Sequence, residues 1–215
     1  GIDAKAEMWK LPAMYVGKYA EKDAELTLAL FKKLSVEIKA QDLTKVFDLE
    51  TQLFPCLIDM KFKGVRVNVE AAHKLKQQLA SQEETLLLEV KKETGLEPQI
   101  WAARSIAKVF DKLNLSYVRT AKSKAPSFTK NFLQEHPHPI VNKIAKAREI
   151  NKAHTTFIDT IIKYQHKGRI HADINPIRGD SGGTVTGRFS YSNPNLQQIP
   201  ARNKQLGPMI RSLFI

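Results

Sequence analysis

The sequence has a single cysteine, Cys56, among 215 residues. An intrachain disulfide is therefore excluded, and a reducing compartment fits. Cys56 lies in an apolar helical run and is expected to be a small core residue. Long apolar runs are also missing. No stretch reaches the roughly 18 residues of a membrane-spanning helix, so no membrane partner is expected. No leader-like segment is visible, although the chain starts with Gly1 and not Met. Acidic residues are scarce beside basic ones: 22 Asp and Glu stand against 34 Lys and Arg, a formal charge of +12. Such an imbalance points to a polyanionic partner, most simply nucleic acid. The deficit is local. Residues 1–50 carry 8 basic and 9 acidic side chains, whereas residues 121–170 carry 10 and 3.

What is present reads as long helices with a small antiparallel sheet, an α-rich α+β chain. Ala13 to Ala40 is one helix, with Leu26, Leu30 and Leu34 on a single apolar face. Thr44 to Phe62 is a second, with Val46, Leu49, Leu53 and Leu57 inward, Pro55 at a tolerated bend and Gly64 at its end. Val65-Arg66-Val67 is a short strand, and Asn68 is an N-cap for a helix from Glu70 to Thr94 that Gly95 stops. A shorter helix covers about Ala102 to Leu113. Thr120 to Lys130 is a basic loop rich in Ser and Thr. Pro139 to Gln165 is the third long helix, with Pro139 at its first position. Arg148 and Lys152 lie four apart on one of its faces, a like-charge pair that polyanion binding or plain solvation would explain. Arg169 to Asn175 is a strand, and Asp180 to Gly183 is a turn. Val185 to Phe189 is expected to pair back as the next strand.

Thr184 to Asn203, TVTGRFSYSNPNLQQIPARN, is the most informative stretch. Pro194 and Pro200 force an extended path. Along it lie Thr186, Arg188, Asn195, Gln197 and Arg202, which donate and accept hydrogen bonds from a constrained backbone. Gly187 admits a ligand close to the main chain. In the DNA minor groove every base pair presents acceptors, so donors placed there sense pairing geometry without reading sequence.

The ordered string TGRFS, PNLQ, IPARN resembles the segment of family A DNA polymerases that precedes their first catalytic carboxylate motif. Tyr191 and Gln198 depart from the commonest bacterial form, and Gly182-Gly183-Thr184 is more like the phage-type members. The resemblance runs from about Tyr15 to Ile215. It implies a DNA-directed DNA polymerase, a nucleotidyltransferase of replication that adds deoxynucleoside triphosphates to a primer with Mg²⁺ in two-metal sites. It also implies an attached 3′–5′ exonuclease, a monomer, and a cytoplasmic, nucleoid-associated place in a bacterial or phage-infected cell. Residues 1–40 would end the exonuclease domain, 41–68 would lead into the polymerase domain, 69–167 would be the thumb, and 168–215 the first palm strands. Tyr19 and Asp23, four apart on one helix face, would be the exonuclease residues that orient water and bind metal. Lys122, Lys124, Ser127 and Lys130 would meet phosphates at the thumb tip, and Arg148 and Lys152 would hold the duplex. Trp101 to Arg104 departs from the family pattern, so no contact is carried over there. His154 stands where a basic residue is common. The chain reads as a piece cut at both ends. The polymerase carboxylates are expected beyond Ile215, because Asp173 and Asp180 match no catalytic position. Two other readings are a non-enzymatic basic helical DNA-binding protein and a nuclease ending near Ala40.

Overall fold

The computed structural model describes residues 6–179 and 182–215. The chain divides into two compact units, Gly1–Asp59 and Met60–Ile215. The first unit holds α1 (Ala13–Ala40) and most of α2 (Thr44–Lys63). Both helices run where the 3.6-residue period puts them, and Pro55 is accommodated inside α2. Their burial is not as expected. None of the 28 residues of α1 is buried. Leu26, Leu30 and Leu34 are exposed, and so are Val46 and Leu49 of α2. Leu57 is the buried residue of α2. Cys56 is exposed, not a core residue. Periodicity marks a stripe that another layer can cover, but burial depends on that layer being present.

The second unit carries two cores that share α3 (Val69–Thr94). Local signals set the ends of α3. Asn68 Oδ1 accepts the Ala71 backbone N–H at 2.9 Å, and Gly95 closes the helix with φ +72°. One core joins Leu75 and Leu79 to Ile158, Ile161, Ile170, Leu206 and Ile210. The other joins Val90 to Ile106 and Phe110 of α4 (Ala103–Lys112), Leu133 of α5 (Lys130–Glu135), and Ile140 and Ile144 of α6 (Pro139–Lys152). Phe110 packs against Phe128 with ring centroids 4.8 Å apart.

The third long helix is not uniform. After α6 the chain adopts a π-helical turn, Ala153–Ile158, and then α7 (Asp159–Tyr164). Thr155 Oγ1 donates back to Asn151 O at 2.7 Å, the kind of hydroxyl contact that loosens a helical ladder.

The strands are short. β1 (Val65–Arg66) and β4 (Gln165–His166) both pair antiparallel with β5 (Arg169–Ile170), which lies between them. β2 (Val118–Arg119) pairs with β3 (Pro126–Ser127), so the basic loop is the tip of a hairpin. The expected strand Arg169 to Asn175 is broken into β5 and β6 (Asp173–Asn175). β6 pairs not with Val185 to Phe189 but with β7 (Ser190–Ser192), in the register Ile174 to Tyr191. Residues 184–187 instead precede a left-handed turn at Gly187, φ +72°. The turn expected at Asp180 to Gly183 falls partly outside the described residues. Gly179 and Gly182 form an antiparallel bridge around it. Gly64 is required by space as well as by its φ of +65°, because a Cβ there would meet Ile170 O at 2.8 Å. A final short helix, α8 (Leu206–Arg211), closes the first core.

Candidate nucleic-acid interface

The segment from Thr184 to Asn203 is held by its own side chains. Thr184 Oγ1 donates to Arg188 O at 2.7 Å, and Thr186 Oγ1 donates to Thr184 Oγ1 at 3.3 Å. Gln197 Nε2 donates to Phe189 O at 2.9 Å. Asn195 Oδ1 accepts the Gln197 backbone N–H at 3.1 Å and caps a short 3₁₀ turn, Leu196–Gln198. Asn195 and Gln197 therefore spend part of their capacity on the loop itself. Each keeps donors for a ligand. The peptide bond before Pro194 is cis.

The Arg188 guanidinium is exposed, and among the described residues it has no hydrogen-bond or ion-pair partner. Its backbone is held by the contacts at Arg188 O and Phe189 O. The space a Cβ at Gly187 would occupy is open. The result is an exposed cation on a braced loop, with none of the described residues paired to it. Arg202 is also exposed, in the turn before α8.

A cleft of about 410 Å³ lies between this segment and the π-helical turn, lined by Thr156, Phe157, Tyr164, Tyr191, Asn195 and Gln198 among others. Tyr191, a departure from the bacterial pattern, thus forms part of a wall and packs on the first core. β6 is tied to the same region. Lys61 Nζ lies 2.5 Å from Asp173 Oδ1, and Asn193 Nδ2 donates to Asp173 Oδ2 at 2.8 Å. The Lys61 ammonium first, then Asn193, holds the Asp173 carboxyl below the usual carboxylate range. Asp173 is therefore a paired anion that ties β6 to Lys61 and Asn193.

The sites expected in the thumb divide. Lys122 and Lys124 are exposed at the β2–β3 tip, where Lys124 adopts φ +52° and its carbonyl accepts from Arg119 Nη1 at 3.1 Å. Ser127 is half-buried in β3. Lys130, Arg148 and Lys152 come together, lining one cavity of about 360 Å³. Lys152 is exposed, whereas Arg148 turns inward. Arg148 Nε donates to Ile100 O at 2.6 Å and Nη1 to Phe128 O at 2.8 Å. Burial lowers its pKa, yet a guanidinium stays charged near neutral pH. Two of its five donors are used, which leaves the rest for the cavity side.

Lys143, a further basic position on α6, is occupied. Glu93 and Glu89 reach its ammonium at 2.7 and 3.1 Å and raise its pKa. His154 is buried and turned toward Glu83. Its Nε2 lies 2.6 Å from Glu83 Oε2, and Asn151 Nδ2 donates to the same carboxylate at 3.0 and 3.1 Å. Periodicity gave no sign of this cluster, because Glu83 and His154 are 71 residues apart.

In the first unit, Tyr19 and Asp23 are exposed on α1. Among the described residues no three His, Cys, Asp or Glu side chains converge to hold a metal ion. The donor set of these residues therefore does not by itself fit the implied Mg²⁺. Among the described residues no helix is long and apolar enough to cross a membrane.

The family described as DNA polymerase family A matches residues 69–215. A DNA-directed DNA polymerase of Pseudomonas phage M6 is 32% identical over 225 residues, covering 100% of this chain and 34% of that protein. The thermostable DNA polymerase I of Thermus filiformis is 33% identical over 210 residues, covering 94% of this chain and 24% of that protein. The chain therefore spans about a third or less of the length of these relatives. Its fold is similar to the POL domain of Pol1 from M. smegmatis in complex with DNA primer-template and dNTP, with a TM-score of 0.65 at 23% identity. That likeness covers 77% of this chain and 29% of the other, and it concerns the fold alone. The family match takes in the braced Arg188 loop, the Lys130–Arg148–Lys152 cavity and both cores of the second unit, and the chain belongs to DNA polymerase family A.

Proposed function

We propose that this chain is the duplex-holding part of a DNA-directed DNA polymerase. The observation that carries the reading is the Arg188 loop: a braced backbone that presents an exposed guanidinium, unpaired among the described residues, on the same segment as Asn195 and Gln197. Those donors suit the minor-groove acceptors of a primer-terminal pair, whatever its sequence. Lys122, Lys124, Lys130, Lys152 and Arg202 add exposed cations suited to phosphates, and Thr186 and Ser127 add hydroxyls. The full-length enzyme would take primer–template DNA and deoxynucleoside triphosphates. Its metal-binding carboxylates would come from residues other than those described here.

Salt tests the electrostatic part. Each neutralised phosphate releases counterions, so primer–template affinity of this chain is expected to fall about tenfold between 50 and 200 mM salt for every two phosphates contacted. Fluorescence anisotropy with a labelled primer–template hairpin measures it. An affinity that ignores salt would remove the phosphate contacts from the account.

Tyr19 and Asp23 support a second role within the same enzyme. They lie one turn apart on an exposed face of α1, and by the family resemblance they would serve 3′–5′ excision. In the full-length protein, Asp23→Ala is expected to lower excision of a mismatched primer end and to leave polymerisation unchanged. Unaltered excision by that variant would reject the assignment.

A further inference from the structure

Trp101 lines the 360 Å³ cavity that also holds Phe128, Lys130, Arg148, Glu149 and Lys152. The indole is 59% exposed, a large apolar surface left to water. Its polar atom does not explain that exposure, because Nε1 already donates to Asn151 Oδ1 at 2.7 Å. The ring is also fixed from one side: the Arg148 guanidinium lies 5.3 Å from its centroid, and that guanidinium is itself pinned by two carbonyls. Trp101 is thus a rigid aromatic plate with solvent on its open side.

The charge around it is positive. Lys130, Arg148 and Lys152 face one carboxylate, Glu149, which Lys130 approaches at 3.7 Å and Gln134 Nε2 reaches at 2.6 Å. Among the described residues neither Arg148 nor Lys152 has a carboxylate within ion-pair distance. A fixed aromatic plate flanked by cations in excess of carboxylates is the arrangement that binds single strands, with the base stacked on the ring and its phosphates on the cations. A duplex offers such a plate only the faces of its terminal pairs, and its interior base faces are covered.

We propose that Trp101 is a stacking platform for an unpaired base of a single DNA strand, with Lys130, Arg148 and Lys152 meeting the adjacent phosphates. The inference rests on the reading above only for the class of ligand, DNA. Stacking of this kind tolerates any base, so no sequence preference accompanies it.

The chain has two tryptophans, so Trp9→Phe leaves Trp101 as its one indole. That variant would be titrated at low salt with a thymidine strand of about twelve nucleotides, an abasic strand of the same length, a blunt duplex and an acidic peptide of equal charge. The thymidine strand is expected to quench Trp101 emission. The abasic strand is expected to bind roughly fivefold to a hundredfold more weakly, without that quenching. Adding Trp101→Ala should bring the thymidine strand down to the abasic affinity, and Trp101→Tyr should keep most of the difference. Quenching in the Trp9→Phe variant decides the matter even if Trp101→Ala does not fold. Equal binding and quenching by thymidine and abasic strands, or equal quenching by the duplex or the peptide, overturns the platform. Loss of primer–template binding with thymidine quenching intact would reject the duplex-holding role and leave the platform standing. The reverse pattern would reject the platform alone.

Discussion

Arg188→Ala in the full-length polymerase is expected to slow nucleotide addition about tenfold to a hundredfold at saturating DNA, with a smaller loss of DNA affinity. The expectation follows from how the residue is mounted. Thr184 Oγ1 grips Arg188 O, and Gln197 Nε2 grips Phe189 O. Gly187 supplies the left-handed turn that aims the loop. The loop backbone that carries the guanidinium therefore need not be ordered when DNA arrives, so less of the interaction is lost to entropy. A donor on the minor-groove edge of the terminal pair meets an acceptor only when the pair is correctly formed. The contact would align the primer end for attack, and misalignment of a reacting group is expensive. Losing one hydrogen bond from a charged donor costs about 1.5–3 kcal/mol, which sets the range of the rate loss. Single-turnover incorporation on matched and mismatched primer ends separates this role from simple phosphate binding. A phosphate contact would lower affinity and salt slope together and spare the saturated rate. An unchanged saturated rate on matched ends would reject the alignment role.

Glu83→Ala is expected to destabilise the second unit by about 2–4 kcal/mol. Glu83 Oε2 meets His154 Nε2 at 2.6 Å, and both oxygens accept from Asn151 Nδ2. The side chains of Glu83 and His154 are only 12% and 10% exposed, so water replaces the lost acceptor poorly. A buried donor left unpaired costs about 1–3 kcal/mol, and the variant strands groups on both Asn151 and His154. The site also fastens α3 to the π-helical turn, where the helical ladder is already irregular. Glu83→Gln keeps the shape and one acceptor, so it should cost about half as much. Urea unfolding at unchanged m-value measures both. A Glu83→Ala loss below about 0.5 kcal/mol would mean that the cluster is wetter than its burial suggests.

The parts of the fold legible in the sequence are those set by neighbours along the chain. Asn68 and Gly95 bound α3 because a cap needs only the adjacent turn. Pro139 begins α6 for the same reason. Long-range partners were not legible. Arg148 looks like a surface cation beside Lys152, but its donors find carbonyls 48 and 20 residues away. Lys143 looks free until Glu89 and Glu93 of α3 are laid beside it. The hairpin strand moved from Val185–Phe189 to Ser190–Ser192 because Gly187 takes the left-handed turn, so pairing begins only after it. The apolar stripes of α1 and α2 mark helices, as the 3.6-residue period requires, while their burial depends on a covering layer that periodicity does not report. In the candidate site, the ordered motif around Arg188 was legible as chemistry. The bracing that makes it rigid, and the indole beside the thumb cations, emerged only with the fold.

Hydrogen exchange of this chain, with and without a primer–template hairpin at low salt, tests the central claim most directly. If the second unit holds duplex DNA through the braced loop, amides between Thr184 and Asn203 and at the β2–β3 tip around Lys122 and Lys124 will slow on adding DNA. Those of α1 will not change, and 200 mM salt will reverse much of the effect. Protection confined to α1, or no protection around Arg188 under conditions where DNA is bound, would contradict it.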